Sequence, residues 1–348
     1  MTDLIHNADL RAVLVINVSR IGDTLLALPA IESIAQAYPN AVVSVLAHPK
    51  RAEVFAHIPT IGRVGHITKN RALFMGWMGS KRYDLAFVFG YDEALVRYAL
   101  RVAARVVAFE QKDHALNTRL YRSVIAPGFQ AKHSIFMHLA LTDAMGIAHA
   151  NHRLGYRMSA DEARWAAETL RIRVPASAHP LIGLQIASFP TKGYRDWPLG
   201  HFIELVERIL AHYPQAHFLI FGGKLERDRT RALHAKFAAR SAHLAGALTL
   251  RQTAALMSRL DLYIGVDTGP THIAGSFDVP MVVLYHAHSP SRLLMPLEHP
   301  SFVAIDHPQV GAGVEASMAD ITVDTVWAEV EAALVQPTRI RDLQSATA

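Results

Sequence analysis

The feature that most limits the fold is a rhythm. Apolar runs of five to seven residues, rich in Val, Ile and Leu, alternate with helical stretches along most of the chain. Ala12–Val18, Ala41–Ala47, Asp84–Phe89 and Arg105–Phe109 read as strands in the first half. Leu181–Ala187, His217–Phe221, Asp261–Val266 and Met281–Tyr285 do so in the second. Helical patterns fall between them at Asp23–Tyr38, Leu199–His212, Glu226–Ala239 and Leu250–Arg259. Unbroken apolar strands are those covered on both faces, so the pattern predicts parallel sheets flanked by helices.

The alternation restarts at Leu181, after the Pro-, Ala- and Ser-rich stretch Val174–Pro180. With 348 residues there is chain enough for two domains. The expected architecture is α/β, with two Rossmann-like domains facing a cleft. One covers residues 1–165 and the other 180–348, and the last helical stretch, Thr325–Leu334, can pack on either. In such sheets ligands bind beyond the carboxyl ends of the strands. The loops after Val18, Ala187, Phe221 and Val266 are therefore where chemistry is sought.

Composition narrows the function classes. No apolar run approaches the roughly 18–20 residues that span a bilayer, and Met1–Arg11 lacks the pattern of a signal peptide. Cysteine is absent, which excludes disulfides, thiolate metal sites and cysteine nucleophiles. A cytoplasmic protein is expected. The net charge is +5, and between Lys50 and Ser134 14 Lys/Arg stand against 6 Asp/Glu. That local surplus either attracts anionic partners or is a solvated basic face. No helix-turn-helix, finger or RNA-binding signature accompanies it, so nucleic acid is not expected.

Four strings carry the candidate chemistry. Ser19-Arg20-Ile21-Gly22-Asp23-Thr24 follows the first strand. Gly22 permits a tight turn, and Asp23 is placed either to cap a helix or to act as a general base. Val266-Asp267-Thr268-Gly269-Pro270-Thr271-His272 is again strand, turn and helix. Its amides and hydroxyls suit a phosphate, although a capped helix with His272 in the core fits as well. Ala187–Pro198 holds Ser188, Thr191, Lys192 and Arg195, cations and hydroxyls fit for a diphosphate, with Trp197 closing the core. In Phe221-Gly222-Gly223-Lys224-Leu225-Glu226, Glu226 is either a ribose partner or an ordinary first-turn acid.

Three absences count too. No two Asp residues are separated by a single residue, so the Asp-x-Asp pattern of metal-dependent sugar transferases is missing. His286 and His288 lie close together without a carboxylate cluster, and no metal site is expected. No Walker loop or Gly-x-Gly-x-x-Gly follows a strand, which weakens kinase and dehydrogenase readings.

In order and spacing, these strings resemble glycosyltransferase family 9, the ADP-heptose:lipopolysaccharide heptosyltransferases. The resemblance runs from about Ala12 to Leu334, with its most specific parts at Gly265–His272 and Arg20–Pro29. It implies the GT-B fold, with the acceptor on the N-terminal domain and the nucleotide-sugar on the C-terminal one. It implies an inverting, metal-independent transfer in lipopolysaccharide core biosynthesis, with no cofactor, since the ADP-sugar is a substrate. Asp23 matches the family's base. Ser188, Thr191, Lys192, Arg195, Glu226, Asp267, Thr268, Gly269, Thr271 and His272 fall on the donor side. Arg20, Gly22, Arg63, Lys69, Arg71, Arg119 and Arg122 are the candidates for an anionic inner-core acceptor, and the same basic surplus suits peripheral contact with the inner membrane. The competing expectations are another GT-B enzyme with a different donor, an epimerase, or a non-catalytic nucleotide-sugar-binding protein. There are two departures, the second of which bears on sugar or acceptor identity. Arg195 stands where the family usually has lysine, and His286-Ala287-His288-Ser289-Pro290 replaces a Gly-Pro-Thr string.

Overall fold

The computed structural model describes residues 10–78, 80–128 and 131–335. The chain divides into two compact units, Met1–Arg157 and Met158–Ala348.

The first unit is built on strands β1 (Ala12–Asn17), β2 (Val42–Ala47), β3 (Arg63–His66), β4 (Tyr83–Phe89), β5 (Ala103–Phe109) and β6 (Arg122–Val124). They form one parallel sheet in the order β3-β2-β1-β4-β5-β6. The second unit has β7 (Leu181–Gln185), β8 (His217–Ile220), β9 (Ser241–His243), β10 (Leu262–Val266), β11 (Met281–Tyr285) and β12 (Phe302–Asp306). These pair in parallel in the order β12-β11-β10-β7-β8-β9. Counted from its own first strand, each sheet reads 3-2-1-4-5-6, the order of a dinucleotide-binding Rossmann sheet. The central runs behave as their composition requires: β7, β10 and β11 are buried at every position.

This order creates a switch point in each unit. The chain leaves β1 for one side of the sheet and returns later to place β4 on the other. A crevice therefore opens beyond the carboxyl ends of β1 and β4, and of β7 and β10. At the opposite, amino ends both units use one device. Asp84 accepts the backbone N–H groups of Arg11 and Ala12, at 2.8 and 2.9 Å, where β1 begins. Asp261 accepts that of Leu181, at 2.6 Å, where β7 begins.

The helix expected over Asp23–Tyr38 is two helices, Ile21–Leu26 and Leu28–Ala37. Pro29 lies in the first turn of the second, where its missing N–H costs nothing; within a continuous helix it would remove a hydrogen bond. The helix Ala160–Arg173 belongs to the second unit. Ser159 and Glu162 close a capping box at its start, and Arg251 clamps both Glu162 oxygens at 2.7 and 2.5 Å. Those hydrogen bonds hold the Glu162 carboxyl down at about 2. The last helix, Val323–Val335, packs in the second unit through Val326 and Val330. Trp197 joins that core, 2% exposed, with its indole N–H donated to the Ile321 carbonyl at 2.8 Å.

Candidate functional site

In the first unit the loops after β1, β2 and β3 converge on a cavity of about 450 Å³. Arg20 and Asp23 come from the first loop, His48 and Arg51 from the second, Thr68 and Lys69 from the third. Asp23 is half-buried in the first turn of its helix, while Arg20 holds the capping position without a side-chain cap. Gly22 is buried beside it. Burial and the Arg20 charge push the Arg51 guanidinium down, and the Asp23 charge acts in the opposite direction. Burial, Arg51 and Lys50 likewise lower His48. His48 Nδ1 accepts the Lys50 backbone N–H at 3.2 Å. Lys69 is shared with Asp92, at 2.8 Å. The result is one lining carboxylate among cations in an open hollow, a geometry able to accept a hydroxyl proton and to attract negative charge.

The seven acceptor-side candidates do not all meet. The cavity takes in Arg20 and Lys69, with Gly22 behind them, whereas Arg63, Arg71, Arg119 and Arg122 lie outside its lining. Arg63 is on edge strand β3 and Arg122 on edge strand β6. Five strand spacings of about 4.8 Å separate these edges, roughly 24 Å. Arg122 instead stacks on the Tyr121 ring at 4.6 Å. A surplus of charge in sequence is thus not one patch in space.

In the second unit the space beyond the carboxyl ends of β7 and β10 is occupied by side chains. Asp267, just past β10, is 3% exposed. Arg195 NH1 donates to Asp267 Oδ2 at 2.9 Å, and its NH2 donates to Ser289 Oγ at 2.9 Å. Burial pushes the Asp267 carboxyl up to about 6, against the pull of the Arg195 charge. His272, also buried, brings Nε2 to 3.6 Å from Asp267 Oδ1, beyond hydrogen-bond reach. The Arg195 Nε is buried with no hydrogen-bond partner among the described residues. Arg195 keeps 20% of its side chain exposed, so this guanidinium is the edge of the network that can meet a ligand.

The loop before it is laced together. Ser188 Oγ donates to the Lys192 carbonyl at 2.7 Å, and Asp196 accepts the Ser188 N–H at 2.6 Å. Arg229 bonds both Asp196 and the Ser188 carbonyl. Lys192 reaches the Tyr194 hydroxyl at 3.4 Å, and Thr191 is exposed. Thr271 is committed to the turn, donating to the Val266 carbonyl at 2.7 Å, with Thr268 capping and Gly269 opening the helix Gly269–Ala274. Glu226 is buried, and Oε2 accepts the Gly223 N–H at 2.7 Å, so one of its oxygens holds the loop rather than facing outward.

Sequence reasoning did not single out Arg51, His48, Arg229 or Ser289. The first two follow β2, a carboxyl-end loop like the others, and that position was the available signal. Ser289 lies inside the departing His286–Pro290 string. Its bond to Arg195 brings together the two places at which the sequence is expected to depart from the family it resembles. Nothing in the string around Arg229 marks it.

The model of glycosyltransferase family 9 (heptosyltransferase) matches residues 83–310. The chain belongs to this family. Among curated proteins, this glycosyltransferase is 24% identical to lipopolysaccharide heptosyltransferase 2 of Escherichia coli K12, over 93% of the chain and 99% of that protein. It is 20% identical to the lipopolysaccharide core heptosyltransferase OpsX of Haemophilus influenzae, over 81% of each. Its fold matches a family 9 glycosyltransferase from Veillonella parvula with a TM-score of 0.80, at 17% identity, covering 97% of this chain and 99% of that one. The E. coli ADP-heptose lipopolysaccharide heptosyltransferase II matches at 0.75, with 19% identity and coverages of 93% and 99%. The glycosyltransferase therefore has the GT-B class expected from its sequence.

Proposed function

We propose that this enzyme transfers a heptose from ADP-heptose to an inner-core lipopolysaccharide acceptor at the cytoplasmic face of the inner membrane, with inversion and without a metal ion. One observation carries the reading: the carboxyl ends of the two sheets are chemically divided. The first offers a carboxylate in an open cationic cavity, and the second a guanidinium held by buried acceptors. Asp23 takes the proton from an acceptor hydroxyl as its oxygen bonds to the anomeric carbon. The bond from that carbon to the phosphate oxygen breaks, and the electron pair leaves with ADP. Arg195 and Lys192 meet the charge that gathers on the diphosphate, the electrostatic role a preorganised cation fills best. Arg20, Arg51 and Lys69 hold anionic groups of the acceptor.

The donor assignment is supported by the relatives' names and by a solved E. coli heptosyltransferase, similar in fold, that is described with ADP. The test is a panel of nucleotide-sugars offered with a core acceptor in EDTA. ADP-heptose is expected to be used, at a rate unchanged by the chelator. Preference for another nucleotide, epimerised donor without transfer, or activity restored by magnesium or manganese overturns the corresponding part of the reading.

A further inference from the structure

The described residues 69–78 and 80–82 of the first unit are built like a membrane-contact tip. They contain four cations, Lys69, Arg71, Lys81 and Arg82, and no acidic residue. Between them the side chains of Leu73, Phe74, Met75, Trp77 and Met78 stand in solvent, with Phe74, Trp77 and Met78 at 81%, 70% and 91% exposure. Exposed large apolar residues scattered singly need no explanation, but five within six positions do.

The tip is held rather than loose. It follows the helix Lys69–Phe74, and Arg101 from the neighbouring helix Glu93–Val102 fastens its end. Arg101 donates to the carbonyls of Ala72 and Met75 and lies 4.5 Å over the Trp77 ring. The Trp77 indole N–H returns to the Leu73 carbonyl at 2.9 Å. Gly76 turns the chain with a positive φ of 77°, and a Cβ there would sit 2.8 Å from Val102. The carbonyls of Ala72, Leu73 and Met75 are thus held by side chains, while Phe74, Trp77 and Met78 stay mostly exposed.

We infer that this tip inserts into the headgroup–acyl boundary of an anionic bilayer. Trp, Phe and Met suit that boundary, and the flanking cations suit its surface charge. A second copy of the chain fits poorly, because it would bring the same four cations face to face. The helix that ends in the tip begins at Lys69, which lines the Asp23 cavity, and its six residues span about 9 Å. The inference deepens the proposed function, since a lipid-linked acceptor would lie beside the cavity. It is tested without turnover, so either can fail alone.

The experiment is co-sedimentation of the full chain with phosphatidylcholine vesicles, with and without phosphatidylglycerol, while tryptophan emission is followed. Binding that needs the anionic lipid and a blue shift are expected. F74S/M78S is expected to weaken binding roughly tenfold or more. K81Q/R82Q is expected to reduce the preference for anionic vesicles. Both variants alter exposed side chains, and their melting temperatures are expected to match the wild type. Vesicle binding that is absent, or equal in wild type and F74S/M78S, overturns the inference. So does light scattering showing that F74S/M78S turns a dimer into a monomer.

Discussion

Asp84 in the first unit and Asp261 in the second do the same work, each accepting backbone N–H groups where the first strand of its sheet begins. Asp23 and Asp267, at the other end of the same two sheets, do not. Asp23 is half-buried in an open cavity among Arg20, Arg51 and Lys69. Asp267 is sealed, paired with Arg195 and close to His272. The strand–turn–acid–helix grammar is shared, so the motif does not decide the role. Burial and partner do. A carboxylate that water and substrate can reach is available for proton transfer, whereas a buried one is spent on orienting a cation.

That contrast can be broken most sharply at Asp23. Asp23→Asn is expected to slow transfer roughly a hundredfold to ten-thousandfold while the melting temperature stays unchanged. Arg20 and not Asp23 holds the capping position, so the substitution leaves the helix cap in place. Near-normal turnover in a folded Asp23→Asn protein would erase the distinction between the two acids.

Arg195→Ala probes the sealed side. It leaves the Asp267 charge buried without its partner, and a loss of about 3–5 kcal/mol is expected in denaturant unfolding at neutral pH. The loss should shrink near pH 5, where the carboxyl is protonated. A variant as stable as wild type at both pH values would show that the pair does not organise the site.

A smaller effect sharpens the same point. The Asp267 carboxyl lies at about 6, above its ordinary 3.8. A raised acid binds its proton more tightly in the folded state, so its stabilisation is full below 3.8 and is lost as pH rises through about 6. At about 1.4 kcal/mol per pH unit the change amounts to about 3 kcal/mol. The difference between wild type and Asp267→Asn across that window isolates it from Glu162, whose carboxyl is held at about 2 and whose contribution is lost only as pH falls below its ordinary 4.5. A flat difference curve would contradict the buried-acid description.

The sequence made the inner strands legible and hid the outer ones, for one physical reason. Strands β1, β2, β4, β5, β7, β8, β10 and β11 are covered by neighbours and read as apolar runs. The four unforeseen strands, β3, β6, β9 and β12, are the edges of the two sheets. They are short or half-exposed, as in the polar string Arg-Val-Gly-His of β3. The site followed the same rule. Asp23, Arg195 and Asp267 stood in distinctive turns. Arg51, Arg229 and Ser289 became visible only when topology brought separate loops together. The basic surplus misled in the same way, since Arg63 and Arg122, counted together along the chain, lie on opposite sheet edges.

The central claim is the division of labour between the carboxyl ends of the two sheets, and calorimetric titration of ADP tests it most directly. The informative pair is Arg195→Ala/Asp267→Asn, in which the buried charge is removed together with its partner, and Arg51→Ala in the first unit. The account predicts that the double variant, still folded, binds ADP roughly tenfold to a hundredfold more weakly, as expected for loss of a charge-assisted contact. Arg51→Ala should bind ADP as the wild type does. Weakened ADP binding in Arg51→Ala, with full affinity kept in the double variant, would contradict it.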